Sequence, residues 1–333
     1  MVPRAAPFVR WAVLGYAVAV VAAWALLRAA GDRWWVATAL TYGPRWVILL
    51  PAGPLALLTT IAPRRVVATL AAATLLAVGP VMAFNVPLGI GGYTSHSNPT
   101  LTIVTVNLDS DRFDPVRLTA LLRHERPDIT FVQECSVAAA QALRTVFPNV
   151  REDRSLCIAA RAAVTVRDIL GRLDASQDDA AAVEYVVQSP AGPIHVANIH
   201  LDTPRSGLEL VLRGGWRAAR AAESAITARA HESAAVSEWL ARNPDLAIIA
   251  GDFNQTVDSV IFQTYWTAYR NAFSEVGAGF GHTKFTRWFG ARIDHILTAT
   301  TLEPIACRVA ADVGSDHRPL IATIALPELD TQR

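Results

Sequence analysis

Near its C-terminus the chain reads Gly314-Ser315-Asp316-His317-Arg318-Pro319, and upstream of that Gly251-Asp252-Phe253-Asn254. These two patches bring together two carboxylates, a carboxamide and an imidazole. A carboxylate can take a proton from water, an imidazole can give one or steady a developing charge, and carboxylate oxygens bind hard divalent cations. The combination suits metal-assisted phosphoester chemistry. Four further patches carry related groups: Thr105-Val106-Asn107, Val132-Gln133-Glu134, Asn198-Ile199-His200 and Arg292-Ile293-Asp294-His295.

The elements that must position these residues are short, apolar and β-branched, the pattern of strands that end at a cleft. Strands are expected at residues 101–106, 129–133, 183–188, 194–199, 246–250, 293–297 and 320–324. Strand alternation sends Asp252 and Asn254 to one face, does the same for Asn198 and His200, and turns Asp294 away from Ile293 and His295. His295 is therefore expected to be structural. A helix is expected over residues 114–124, with Asp114 as N-cap and Pro115 at its first position. A second, over residues 216–242, presents Ile226, Ala230, Val236 and Leu240 to a core and its charges to solvent. An α/β domain follows.

Taken singly, each patch has a plain structural reading. An Asp and an Asn after a buried strand make a turn, a Glu can favour a helix start, and His317-Arg318-Pro319 can be loop. Six of them in order point to one site.

The balance of 30 Lys and Arg against 29 Asp and Glu gives a net charge of +1, so no broad basic surface argues for tight nucleic-acid binding. Hydrophobic residues are 52% of the 333, and the excess lies before residue 95. Apolar stretches at roughly residues 11–28, 45–62 and 66–85 are each close to bilayer-spanning length. Three spans are expected, with two as the alternative because Pro51 and Pro54 interrupt the middle stretch. A cleavable signal peptide would account for the first stretch only. Arg4, Arg10, Arg64 and Arg65 fall on one side of these spans and Arg28, Arg33 and Arg45 on the other, which favours a cytoplasmic N-terminus and an outward-facing C-terminal part. Trp34, Trp35 and Trp46 suit an interfacial belt on that outer side. This divides the chain into an anchor (1–88), a Gly-, Ser- and Asn-rich linker (89–99), a catalytic domain (100–327) and a tail (328–333). Of the three cysteines, Cys135 and Cys157 could bond in an extracytoplasmic domain; as buried free thiols they would need no partner, and both readings stand.

The Asn, Gln-Glu, Asn-x-His, Gly-Asp-Phe-Asn, Arg-Ile-Asp-His and Ser-Asp-His patches resemble those of the endonuclease/exonuclease/phosphatase (DNase I-like) superfamily, over roughly residues 100–325. The resemblance implies a four-layer α/β/β/α sandwich with the site at one edge. It also implies roles. Glu134 would be the principal ligand of Mg²⁺, or of Mn²⁺ in its place, with Asn107 and Asp316 completing the shell. Asp252 would deprotonate the attacking water and Asn254 would hold it. His317, aligned by Asp294, would stabilise charge or act as acid and base, and His200 would bind phosphate. The loop Leu201-Asp202-Thr203-Pro204-Arg205-Ser206-Gly207 could offer Arg205, backbone N–H groups and Asp202 to a substrate, or be an ordinary turn.

An apolar N-terminus followed by an outward-facing catalytic domain also resembles a bacterial branch of the superfamily that includes VanJ-type membrane proteins associated with glycopeptide resistance. That branch implies lipid-linked phosphates or pyrophosphates, such as undecaprenyl pyrophosphate, as substrates. Trp216, Trp266, Trp288 and Phe289 would line a lipid-facing rim or pack in the core. The competing expectations are an extracytoplasmic nuclease or sphingomyelinase-like phosphodiesterase with the same site, and a protein that binds a lipid or antibiotic without turnover. The oligomeric state is left open.

Overall fold

A computed structural model describes residues 6–87, 99–172, 179–189 and 192–327. The chain starts with helices α1 (Ala6–Ala30), α2 (Trp35–Thr41), α3 (Ala52–Leu58) and α4 (Arg64–Leu76). There follow β1 (Thr100–Ser110), α5 (Pro115–Glu125), β2 (Ile129–Cys135), α6 (Val137–Arg144), β3 (Asn149–Asp153) and β4 (Leu156–Ala160). Next come β5 (Val164–Gly171), β6 (Ala180–Ser189), β7 (Gly192–His200), α7 (Arg205–Gly214), α8 (Ala219–Leu240) and β8 (Leu246–Asp252). The last part holds α9 (Val260–Tyr265), β9 (Arg270–Asn271), α10 (Ala272–Val276), β10 (Lys284–Phe285), β11 (Gly290–Ala291), β12 (Asp294–Thr298), β13 (Glu303–Val309) and β14 (Leu320–Ala325).

Among the described residues the strands form two six-stranded sheets, in the orders β13-β14-β1-β2-β4-β3 and β5-β6-β7-β8-β12-β9, plus the small β10–β11 hairpin. Each large sheet has one parallel pair, β1 with β2 and β7 with β8. A parallel pair needs a crossover, and α5 and α7–α8 supply these. Between the sheets lie Ile103, Phe131, Tyr185, Val196, Ile248 and Ile296. On one outer face Val104 and Val106 meet Leu118 and Leu122 of α5, and on the other Ile199 and Ile249 meet Val236 and Leu240 of α8. The result is a four-layer α/β/β/α sandwich.

Strand alternation builds the core and, in the same stroke, the cleft. In β1 and β7 the side chains that point between the sheets are first apolar (Ile103; Val196), then polar (Thr105; Asn198), then the site residues Asn107 and His200. The polar layer is tied across the sandwich: Gln133 Nε2 donates to Asn198 Oδ1 at 2.6 Å, and Asn198 Nδ2 donates to the carbonyls of Val132 and Cys157. Such bonds make burial of these amides tolerable.

The N-terminal third departs from the expected three spans. Two helical segments are long and apolar enough to cross a bilayer, Pro7–Ala30 and Arg64–Val81. The middle stretch is a 3₁₀ turn (Arg45–Leu49) followed by the short α3, because Pro51 lacks the N–H that a continuous helix requires there. Most of the expected linker lies outside the described residues, but the chain just after each of these two segments is docked on the sandwich. Val260 N–H donates to the Gly31 carbonyl, and Asn85 exchanges two backbone bonds with Gly279. Trp34 and Trp46 are partly exposed, whereas Trp266 is fully buried in the core beneath β8 and is no rim residue. Trp288 is 69% exposed and Phe289 half-buried, and the Trp216 side chain lies outside the described residues.

Candidate active site

The Gly-Asp-Phe-Asn patch shows how local sequence sets the site. Gly251 has φ +152°, and a Cβ there would lie 1.9 Å from the Ile199 carbonyl oxygen, so only glycine lets β7 and β8 close together at this point. Phe253 turns outward and packs on Phe262, Trp266 and His295. Asp252 therefore projects between the sheets. Asn254 lies past the strand end at φ +49°, so a turn, and not strand alternation, returns it to the pocket. Its backbone N–H donates to Asp252 Oδ1 at 2.9 Å and its Nδ2 to the Leu201 carbonyl at 2.8 Å.

The other site residues arrive at the same sandwich edge. Register places Asp252 opposite both His200 and Asp294. Asn107 Nδ2 donates to Asp252 Oδ2 and to Glu134 Oε1, each at 3.0 Å. Glu134 sits at φ +49°, a left-handed conformation costing about 1–2 kcal/mol for a non-glycine residue. The next residue is locked: Cys135 is disulfide-bonded to Cys157, and its N–H donates to the Ser155 carbonyl. Ser315 Oγ donates to the Asn107 carbonyl and accepts from His317 N–H, which seats the last patch. His317 Nδ1 is 2.8 Å from Asp294 Oδ2, and its Nε2 points towards Asp252 Oδ2 at 3.7 Å.

These contacts set the proton affinities. Burial raises Asp252 to about 7, aided by the nearby Asp294 charge and opposed by His317. Burial works against protonation of His317, but Asp294 and Asp252 outweigh it and raise its pKa. Asp294 is lowered despite its burial, because His317 bonds to it. Burial, then Arg172, push His200 down to about 3, so it is a neutral imidazole, with Nε2 3.8 Å from Glu134 and 3.9 Å from Asp252. His295 is structural, its ring meeting the Gln255 carbonyl and Asn271.

A cavity of about 170 Å³ joins Asn107, Glu134, His200, Asp202, Arg205, Asp252, Asn254 and His317. Asp316 stands at its edge with its carboxylate paired to Lys284, and Arg205 Nη2 lies 3.9 Å from the same oxygen. Asp202 is held by Arg172 Nη1 at 2.7 Å. Arg205 opens a helix, α7, where the sequence reading offered a substrate-binding loop or an ordinary turn. The donor set fits a divalent cation. Two carboxylate oxygens, from Glu134 and Asp252, converge on the Asn107 amide, and ligand atoms of Asp252, Asp294 and His317 lie within 4.8 Å of one another. Asp316 is the weakest of the three expected ligands, because Lys284 already neutralises it.

Three contributors escaped the sequence reading. Lys284 is the single lysine among 30 basic residues, an anomaly that could have drawn attention to it. Arg172 faces the cavity and pairs with Asp179, Asp202 and Glu232. The third is a buried clamp from the N-terminal segment. Asp32 pairs with Arg229 at 2.7 Å, and Arg229 Nη2 and Tyr42 OH both donate to the Asn254 carbonyl, at 2.7 and 3.0 Å. Arg229 and Glu232, expected on a solvated helix face, are each only 2% exposed.

An α/β/β/α sandwich with a poised carboxylate, an Asp-oriented imidazole and a cation-binding oxygen set at one edge defines a metal-dependent phosphoesterase. Residues 104–317 match the model of the endonuclease/exonuclease/phosphatase family, and the chain belongs to that family. No curated protein matches the sequence at a significant level. Among solved structures, a humanized TDP2 from D. rerio is 17% identical with a TM-score of 0.52, covering 68% of this chain and 99% of that one. A family protein from Bacteroides thetaiotaomicron is 14% identical with a TM-score of 0.50, covering 70% and 100%. Another from Beutenbergia cavernae DSM 12333 is 16% identical with a TM-score of 0.50, covering 69% and 72%. These likenesses concern the fold.

Proposed function

We propose that the protein is a membrane-anchored, Mg²⁺-dependent phosphohydrolase of the VanJ type, working outside the cytoplasm on a lipid-linked phosphate or pyrophosphate such as undecaprenyl pyrophosphate. The observation that carries this reading is the clamp: Tyr42 and the Asp32–Arg229 pair, next to the first apolar helix, hold the backbone of Asn254 in the catalytic cavity. A site fastened to an anchor meets substrates in the membrane surface at high effective concentration. The Cys135–Cys157 disulfide supports an oxidising, extracytoplasmic compartment.

Glu134 and Asn107, with Asp316 nearby, would hold the cation, which when bound neutralises charge on the phosphoryl oxygens. Asp252, fixed by the Asn107 amide and Asn254 N–H, accepts the proton of the attacking water. Asn254 positions that water. His317, oriented by Asp294, donates to the charge that develops on the phosphoryl group. Neutral His200 offers a hydrogen bond to a phosphate oxygen. Lys284 and Arg205 place cations where a second phosphate would sit, with Asp202 setting the cavity floor through Arg172.

The test uses purified full-length protein in detergent with Mg²⁺, supplied separately with undecaprenyl pyrophosphate, sphingomyelin and plasmid DNA. Phosphate release from the first substrate alone is expected. Nicking of DNA at comparable efficiency would sink the lipid reading in favour of a nuclease, and binding of the lipid without turnover would leave a sequestering protein. Protease added to intact cells should digest the catalytic domain; protection would contradict the proposed orientation.

A further inference from the structure

A second and larger cavity, of about 280 Å³, lies where the N-terminal segment meets the sandwich, and it shares no lining residue with the catalytic one. Its walls are partly apolar, with Trp46, Met82, Phe280 and Phe289. Met82 directly follows the apolar segment Arg64–Val81, and Trp46 lies at the start of the apolar segment Arg45–Leu58, next to Arg45. If these segments lie in a bilayer, the cavity sits at headgroup depth. Trp46 and Trp288 are 41% and 69% exposed there, and the Trp46 indole N–H donates to the Trp288 carbonyl, the placement of interfacial aromatics.

Four lining residues carry ionisable groups, and three are accounted for. Arg45 pairs with Asp258 at 2.6 Å. His282, pushed down to about 4 by burial and by Arg45 and Arg292, is neutral. Arg292 is different. It is 6% exposed, its guanidinium stacks 4.8 Å from the centre of the Phe273 ring, and among the described residues it enters no ion pair and its Nε and Nη1 have no hydrogen-bond partner. Asp258 attracts it from a distance but is already paired with Arg45, and a buried charge with no partner in contact is costly, so a site that keeps one has a use for it. The guanidinium fork matches phosphate oxygens. The local balance of Arg45, Asp258 and Arg292 leaves one positive charge.

We propose that this cavity binds the phosphate headgroup of an anionic phospholipid, with Arg292 as the phosphate ligand and the acyl chains leaving past Trp46 and Met82 into the bilayer. This rests on the membrane-anchor reading of the apolar helices, but not on the substrate or on catalysis. Binding of dioctanoyl phosphatidylglycerol, dioctanoyl phosphatidylcholine and inorganic phosphate to detergent-solubilised full-length protein, followed by calorimetry, tests it without any turnover. Phosphatidylglycerol should bind at least about tenfold more tightly than phosphatidylcholine, and Arg292→Gln should weaken it by a similar factor. Should Arg292→Gln fail to fold, Trp46→Ala keeps the test open, since loss of the apolar wall should weaken phosphatidylglycerol while leaving inorganic phosphate unchanged. Equal affinity for the two lipids, or undiminished binding by the variants, overturns the site. Inorganic phosphate binding as tightly as the lipid overturns its assignment to a headgroup.

Discussion

The carboxylate of Asp294 acts on both groups proposed to exchange protons in the cavity, since its charge raises Asp252 and raises His317. Asp294→Asn should therefore move both limbs of the kcat/KM profile towards lower pH, each by on the order of one unit. The acid limb moves because Asp252 loses a repelling neighbour and ionises at lower pH; the alkaline limb moves because His317 loses its counter-charge and deprotonates sooner. A profile displaced in opposite senses would refute the coupling. Asp252→Ala and His317→Ala remove the groups themselves and should cost about 10²–10⁴ in rate with the fold intact, judged by an unchanged melting temperature. Lys284 neutralises Asp316 and supplies the pocket with its compact cation. Lys284→Ala should raise KM for a pyrophosphate substrate about tenfold, and Lys284→Arg, which keeps the charge but not its compactness, should recover part of that loss. Asn107, His200, Asp252 and Asp294 were legible in the sequence because strand alternation aims them, whereas Glu134 follows the inward-facing Gln133 and reaches the cleft only through its left-handed backbone. Lys284 was not, because it reaches Asp316 through the pairing of β10 with the loop before β14, and only that pairing brings the two together.

At the scale of elements, helix α8 misled the sequence reading for a physical reason. Periodicity registers Arg229 and Glu232 as polar, but cannot see Asp32, which lies 197 residues from Arg229 and neutralises it inside the protein. Breaking such a pair from one side leaves a buried charge uncompensated. Asp32→Ala should thus cost about 3–5 kcal/mol, whereas Asp32→Ala combined with Arg229→Met should cost much less, as read by denaturant unfolding. Equal costs would mean that the pair is not what holds α8 to the N-terminal segment. The β2–β4 contact carries a second stabilising device. Replacing Cys135 and Cys157 by alanine opens a cross-link between residues 22 apart in sequence and should lower stability by about 2–4 kcal/mol. Reduced metal affinity should accompany it, since Glu134 precedes Cys135 in a strained conformation. Strands β3 and β5 escaped detection because they are edge strands of the two sheets, exposed on one side, and their sequences carry charge where a central strand would carry valine or isoleucine.

The whole molecule couples an apolar N-terminal third to the catalytic sandwich by specific buried contacts, and not by a tether alone. Asp32, Tyr42, Arg45 and Asn85 all engage the catalytic domain. Comparing the activity of the full-length protein with that of a chain beginning at Pro99 should show this. Truncation removes the Tyr42 hydroxyl from the Asn254 carbonyl and takes the ion-pair partners Asp32 and Arg45 from Arg229 and Asp258, so kcat should fall even for a small water-soluble phosphoester. Equal kcat for the two forms would reduce the N-terminal third to a membrane address. The order of the six patches and the in–out alternation of the strands were determined by the sequence itself, because a period of two and a Gly-Asp-Phe-Asn turn are local properties. Alone they sufficed for an α/β domain with polar strand ends; the sandwich and the family came from the resemblance that the six patches carry. The tertiary structure alone decided the Asp32–Arg229 clamp, the pairing of Lys284 with Asp316, the Cys135–Cys157 bond and the unmatched charge of Arg292. Each of these is a relation between distant side chains, and its energy depends on burial and partner distance, which no stretch of sequence expresses by itself.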